Sequence, residues 1–180
     1  MTPKQRQNFD RLFSPRHIAF VGGRDALIAI GEAKRRGFKG EYWPVNPRRE
    51  ELGGIPCFAD IHALPEAPDA VFLAIPAPAA VAATRTLRGM GAGGIACYTA
   101  GFKEAGPDGQ KLEQDLLEAV GDMALIGPNC YGIINYLDDS ALWPFAHGGS
   151  CPGYGAAIIT QSGMLSVSYT HLTLPTIYSV

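Results

Sequence analysis

The chain has no run of apolar residues approaching the roughly 20 that a membrane span requires. Its first eleven residues are polar and lack the apolar core of a signal peptide. It has no basic excess: 15 Lys and Arg stand against 17 Asp and Glu, a net charge of −2. That balance argues against a general nucleic-acid binder, which carries a basic stripe or patch. Cysteine is sparse and scattered. Cys57, Cys97, Cys130 and Cys151 form no CxxC pair, so the sequence indicates neither a zinc knuckle nor a disulfide framework, and a reduced, cytoplasmic setting is expected. Internal repeats and low-complexity segments are absent. So is a full G-x-G-x-x-G fingerprint, because the glycine after Gly22 and Gly23 is Gly31.

What is present is an ordinary soluble core. Of 180 residues 47% are apolar and 18% charged, enough for one full domain and the start of another. The 22 glycines and 14 prolines cluster at the ends of apolar runs, as in a sheet with many tight βα turns. The reading along the chain alternates. A leading helix is predicted at 5–13, a strand at 17–21, a helix at 25–36 stopped by Gly37, and a strand at 41–45. Residues 70–75 form a continuous apolar run, expected of a strand buried on both faces of a parallel sheet. A helix at 78–90, a strand at 94–98, a helix at 108–120 and a strand at 124–126 follow. This alternation predicts an α/β fold, a Rossmann-like doubly wound parallel sheet. A loop rich in Gly, Pro and aromatics then runs from Tyr136 to Gly155, a new strand is expected at 156–160, and Gln161-Ser162-Gly163 opens a helix of a second α/β domain. The expected domains are 1–13 (leading helix), 14–136 (the sheet domain), 137–154 (interdomain loop), 155–166 (the start of a truncated second domain) and 167–180. That last stretch resembles the translated read-through of a sequencing adapter and is expected to be non-native.

Three turns carry the chemistry. Gly127-Pro128-Asn129-Cys130 follows a strand, at the carboxyl edge where open α/β sheets place ligand contacts. Gly22-Gly23-Arg24 joins a strand to a helix whose N-terminus favours phosphate. After the second strand stands Asn46-Pro47-Arg48-Arg49, where NAD-binding folds usually place an acidic residue for the ribose. Arginine there suits a ribose phosphate, which leaves NADP (2′-phosphate) and CoA (3′-phosphate) open.

Several segments, in order, resemble the NDP-forming acyl-CoA synthetases, a family that includes the succinyl-CoA synthetase alpha subunit. They are Val45-Asn46-Pro47, the connection through Leu64-Pro65-Glu66 and Asp69, Ala74-Ile75-Pro76-Ala77, Ala100-Gly101-Phe102-Lys103-Glu104, Ile126-Gly127-Pro128-Asn129-Cys130-Tyr131-Gly132 and Gln161-Ser162-Gly163. The resemblance covers residues 14–166 and implies a CoA-binding domain followed by a flavodoxin-like ligase domain. It implies that Gly22, Gly23 and Arg24 face CoA phosphates, and that Asn46, Arg48 and Arg49 lie at the nucleotide end. Pro76, Thr99, Ala100, Gly101 and Phe102 line the adenine and pantetheine path. Asn129 approaches the thiol, and Ser162 and Gly163 cup phosphate in the second domain. Cys130 is expected to be a buried small residue rather than a nucleophile. Two features depart from the family pattern: the first βα loop is short, and Tyr131 stands where leucine or proline is commoner. Asn135-Tyr136-Leu137, Leu142-Trp143-Pro144 and His147-Gly148-Gly149 resemble a proteobacterial-type subgroup with feruloyl-CoA synthetase among its relatives.

The implied reaction joins a carboxylic acid to CoA with ATP or GTP and Mg²⁺, through an acyl phosphate and a phosphohistidine, with an ATP-grasp domain or subunit as partner. No catalytic residue is assigned, because the carrier histidine is expected downstream. His17 and His62 are read as structural or solvated, and His147, in the interdomain loop, as a structural residue rather than a substrate contact. A fragment of this extent is expected to bind CoA without ATP-dependent thioester formation, and to bind neither nucleic acid nor membrane. The competing readings are an NADP-binding oxidoreductase domain and a stand-alone CoA-binding regulatory module.

Overall fold

The computed structural model describes residues 1–147 of the chain. The strand expected at 156–160, Cys151, the Gln161-Ser162-Gly163 turn and the segment 167–180 lie outside the described residues.

The first helix, α1 (Pro3–Phe13), begins two residues earlier than its apolar spacing suggests, because it carries a capping box. The Gln5 N–H donates to Thr2 Oγ1 at 3.2 Å and the Thr2 N–H to Gln5 Oε1 at 2.8 Å, which satisfies two otherwise orphan donors. The chain then alternates: β1 (His17–Gly22), α2 (Arg24–Arg36), β2 (Glu41–Val45), the two-residue strands β3 (Glu51–Leu52) and β4 (Ile55–Pro56), β5 (Ala70–Ala74), α3 (Ala77–Met90), β6 (Gly94–Cys97), α4 (Pro107–Val120) and β7 (Ala124–Ile126). Gly37 and Gly91 end α2 and α3 in the left-handed region, which glycine enters without a Cβ penalty.

The central sheet runs β2-β1-β5-β6-β7 with every pair parallel, as the strand–helix alternation predicts. Its inner strands are buried on both faces, and period-2 alternation divides their side chains between two cores. Ala19, Val21, Val71, Leu73, Ile95 and Cys97 join Ala80, Val81 and Leu87 of α3 and Leu116 and Val120 of α4. Ile18, Phe20, Phe72 and Ala96 join Leu12 of α1 and Ala26, Ala29, Ile30 and Ala33 of α2. The sheet is thus doubly wound. Its order reverses between β1 and β5, so the crevice expected of this topology opens at their carboxyl ends.

At the opposite edge, Asp69 is 1% exposed. It accepts from Arg11 Nε at 2.6 Å, Arg16 Nε at 2.8 Å and the Arg16 N–H at 3.1 Å. Next to it, His17 accepts the Asp69 N–H on Nδ1 at 3.1 Å and stacks on Trp43 at 4.2 Å between centroids. His17 is therefore structural, and His62 is exposed, as expected of both.

The segment read as a loop from Tyr136 is more ordered than its composition suggests. A hairpin, β8 (Ile133–Asn135) with β9 (Ser140–Leu142), extends past residue 136. Leu142 is fully buried in the core beside α2. Asn135 Nδ2 donates to the Phe13 carbonyl at 2.9 Å and Ser140 Oγ to the same oxygen at 3.3 Å. These contacts tie the hairpin to the end of α1, which residue type and spacing do not reveal.

Candidate functional site

A cleft of about 340 Å³ lies at the carboxyl ends of the central strands. Its walls are three turns: Ala74, Ile75 and Pro76 after β5; Tyr98, Thr99 and Ala100 after β6; and Asn129, Cys130 and Tyr131 after β7. Asp25, in the first turn of α2, completes it.

Backbone and short side chains hold these turns in register. Thr99 is buried, and its hydroxyl donates to the Ile75 carbonyl at 2.8 Å. The Asn129 N–H donates to the Thr99 carbonyl at 2.9 Å, so the turns after β5, β6 and β7 are linked in series. Asn129 takes a left-handed backbone, φ +53°, which asparagine tolerates better than most residues. The Gly127–Pro128 bond is cis. A Cβ on Gly127 would lie 2.6 Å from the Cys97 carbonyl oxygen, so the β7 turn can close over β6 only with glycine there.

At the β1 end the same logic applies. A Cβ on Gly22 would sit 2.6 Å from the Ala74 carbonyl oxygen, so glycine allows β1 and β5 to approach where the order reverses. Asn46 Nδ2 donates to the Gly22 carbonyl at 2.8 Å, and Asn46 Oδ1 accepts from the Arg48 N–H at 2.9 Å. Asn46 therefore braces β2 against β1 through an Asx turn. Gly23 is the N-cap of α2, and Arg24, Arg48 and Arg49 are exposed around it. None of Gly22, Gly23, Arg24, Asn46, Arg48 and Arg49 lines the 340 Å³ cleft. They form a separate group on the same sheet edge, one to two strands over.

The loop after β6 is held by carboxylates. Glu104 Oε1 accepts from the Gly101 N–H at 2.7 Å and the Phe102 N–H at 3.2 Å, and Glu113 Oε2 from the Lys103 N–H at 3.1 Å. The Gly101 amide is the main cause that holds the Glu104 carboxyl below its usual range. Phe102 differs from its expected role. Its ring is fully buried against α3 and α4, so it anchors the loop from inside and presents no side chain to the cleft.

Neither Cys130, which lines the cleft, nor Cys97, which is fully buried in the core, is a poised nucleophile. Burial pushes Cys130 up, with a Gly132 backbone hydrogen bond opposing, and pushes Cys97 up to about 11. Thiols held protonated at neutral pH are poor nucleophiles, in keeping with the reading that Cys130 is no nucleophile, but Cys130 is half-buried at the cleft rather than buried. His147 lies away from the cleft, packed against α2 with Nε2 3.5 Å from Glu32 Oε2. Burial, ahead of the neighbouring charges, holds it below its usual pKa. Among the described residues no group of three or more His, Cys, Asp or Glu is placed to hold a metal, and no helix is long and apolar enough to cross a membrane. Sequence reasoning did not assign Asp25, Tyr98 and Tyr131 to the site. The signal was their position, each within two residues of a strand or turn already singled out.

Comparison with known proteins gives this cleft a context. Residues 16–136 match the family model described as a CoA binding domain. The chain is 36% identical over 170 residues to a trans-feruloyl-CoA synthase from an unknown prokaryotic organism, covering 89% of this chain and 24% of that protein. It is 34% identical over 131 residues to the ADP-forming acetate–CoA ligase I of Archaeoglobus fulgidus, covering 70% and 19%. A solved structure from Pyrococcus horikoshii OT3 superposes with a TM-score of 0.79 at 27% identity, over 93% of this chain and 39% of that one. The ADP- and phosphate-bound acetyl-coenzyme A synthetase 1 of Ca. Korarchaeum cryptofilum superposes at 0.73 with 24% identity, over 92% and 36%, a likeness of fold. The chain spans about a quarter of the first curated relative and a fifth of the second. With a parallel sheet, a cleft at the carboxyl ends of its strands and a family model matching residues 16–136, this chain belongs to the CoA binding domain family.

Proposed function

We propose that this chain is the CoA-binding part of an NDP-forming acid–CoA ligase. The observation that carries the reading is the cleft built from the turns after β5, β6 and β7, in a domain whose β2 ends in Asn46-Pro47-Arg48-Arg49 rather than in an acidic residue. CoA lies along the carboxyl edge of the sheet. Arg48 and Arg49 take the 3′-phosphate, with Asn46 fixing the turn that presents them. The α2 N-terminus, with Gly22, Gly23 and Arg24, takes the diphosphate. Pro76, Thr99, Ala100 and Gly101 line the pantetheine path, with Phe102 supporting them from the core. Asn129 stands at the thiol end.

In the whole enzyme the thiol sulfur attacks the carbonyl carbon of an acyl phosphate and phosphate leaves. The contribution of these residues is positional: they fix the thiol against its electrophile and keep water away. The nucleotide, Mg²⁺ and the carrier histidine are supplied by parts of the ligase beyond the described residues, an ATP-grasp unit among them. Phosphate contact in the ligase is assigned to Ser162 and Gly163, which lie outside the described residues. The free thiols Cys57, Cys97 and Cys130 suit a reducing, cytoplasmic setting.

The NADP reading shares the sheet and the arginines, so calorimetry with CoA, dephospho-CoA and NADPH separates the two. CoA binds, dephospho-CoA binds about tenfold or more weakly for loss of a charge-assisted pair, and NADPH does not bind. Binding of NADPH without CoA overturns the proposal.

A further inference from the structure

Two aromatic rings that CoA recognition alone leaves unused, Tyr98 and Tyr131, line the cleft, and Trp143 and Phe145 pack against them. Tyr98 follows β6, Tyr131 closes the turn after β7, and Trp143 and Phe145 follow β9. The Tyr131 ring lies 4.8 Å from Phe145 at 70°, 5.7 Å from Trp143 at 86° and 6.5 Å from Tyr98. Tyr98 in turn lies 6.3 Å from Phe145 and 5.8 Å from the buried Phe72. The edge-to-face arrangement is the favoured one for aromatic pairs, so the rings hold one another in place. They are nevertheless not sealed: Tyr131 is 59% exposed and Phe145 41%. Fixed, partly open rings beside a concave site lined by polar turns are a composition suited to ligand contact.

The order of the sheet says which part of a ligand meets these rings. Arg48 and Arg49 follow β2 at one edge, and Tyr131 follows β7 at the other, four strand intervals away. At about 4.8 Å per interval the two ends are about 19 Å apart. An extended CoA with its phosphorylated ribose at the β2 edge therefore brings its thiol, and whatever acyl group is joined to it, to the β7 edge. We propose that Tyr98, Tyr131, Trp143 and Phe145 form a subsite for the ring of an aromatic acyl group, making an aromatic carboxylic acid the substrate class of the parent ligase. The inference rests on the CoA reading and adds the acyl side to it.

The test is calorimetry on the whole chain with benzoyl-CoA, acetyl-CoA and adenosine 3′,5′-bisphosphate. A ring pair worth the usual aromatic increment makes benzoyl-CoA about threefold to tenfold tighter than acetyl-CoA. Tyr131→Ala and Phe145→Ala each bring that ratio to about one, while Tyr131→Phe keeps it. Should circular dichroism show Tyr131→Ala unfolded, Phe145→Ala decides. A wild-type ratio of one, with both thioesters bound, overturns the aromatic subsite and leaves the CoA reading standing. An equal weakening of adenosine 3′,5′-bisphosphate and benzoyl-CoA by Tyr131→Ala assigns the rings to adenine and overturns it too. If none of the three probes binds, the CoA reading itself fails, and the subsite with it.

Discussion

Replacing Asp69 with asparagine removes the charge at the centre of the amino-terminal edge of the sheet. Burial alone would raise this carboxyl, but hydrogen bonds from Arg16 and Arg11 outweigh it and hold it at about 2. An aspartate that ionises at 3.8 in the unfolded chain and at about 2 in the folded one contributes about 2.5 kcal/mol at neutral pH, since each tenfold difference in proton affinity is worth about 1.4 kcal/mol. Arg16 is largely exposed, and the more buried Arg11 keeps the Gly91, Ala67 and Pro68 carbonyls as acceptors, so little more is lost by leaving the guanidinium groups without their anion. Asp69→Asn is therefore expected to cost about 2–3 kcal/mol at pH 7 in urea denaturation, followed through Trp43, which stacks on the neighbouring His17. Because the folded pKa is the lower one, the stabilisation is complete above about pH 4 and is lost as pH falls towards 2. The gap between wild type and variant should close across that window. Asp69 immediately precedes β5 while the cleft lies beyond the strand's other end, so CoA affinity should be unaffected. A loss under about 0.5 kcal/mol at pH 7, or a gap that persists at pH 2, would refute the reasoning.

Gly22→Ala drives a Cβ to within 2.6 Å of the Ala74 carbonyl. It should cost about 2–3 kcal/mol in urea denaturation, as overpacking against a backbone that cannot yield, and should weaken CoA binding through the displaced β1 turn. Glu104→Ala frees the Gly101 and Phe102 amides and should weaken CoA several-fold in calorimetry, while Glu104→Gln, which still accepts from them, retains most of the affinity. As that carboxyl is held low by these amides, the wild-type contact persists at neutral pH and is lost only as pH falls through its depressed value, a dependence the glutamine variant should lack. In peptide mass spectrometry after iodoacetamide treatment at pH 8, Cys97, fully buried with its pKa at about 11, should remain unmodified. Cys130 should react slowly, and several-fold more slowly with CoA present.

The sheet was legible because each of its strands is a short apolar run with glycine, proline or asparagine at its end or within four residues after it, and each helix keeps its apolar residues on one face. The short strands were not. β3 and β4 are two residues each, and β8 and β9 exist because Asn135 and Ser140 reach the end of α1 and Leu142 enters the core. These are contacts across more than 100 residues of sequence, which no local pattern encodes. The cleft turns were visible as Thr99-Ala100-Gly101 and Gly127-Pro128-Asn129, since strand-end chemistry is local. Which way a side chain points from such a turn is not. Phe102 sits in the same motif as Gly101 yet packs inward, whereas Tyr98 and Tyr131, 33 positions apart, meet only because β6 and β7 are neighbours.

Amide hydrogen exchange with and without CoA shows whether CoA lies along the carboxyl edge of this sheet. Exchange should slow at residues 22–25, 46–49, 98–101 and 129–131, with no change at residues 16–17 and 69 on the opposite edge. Exchange unaltered at those turns under saturating CoA, or slowed at the amino-terminal edge instead, would contradict it.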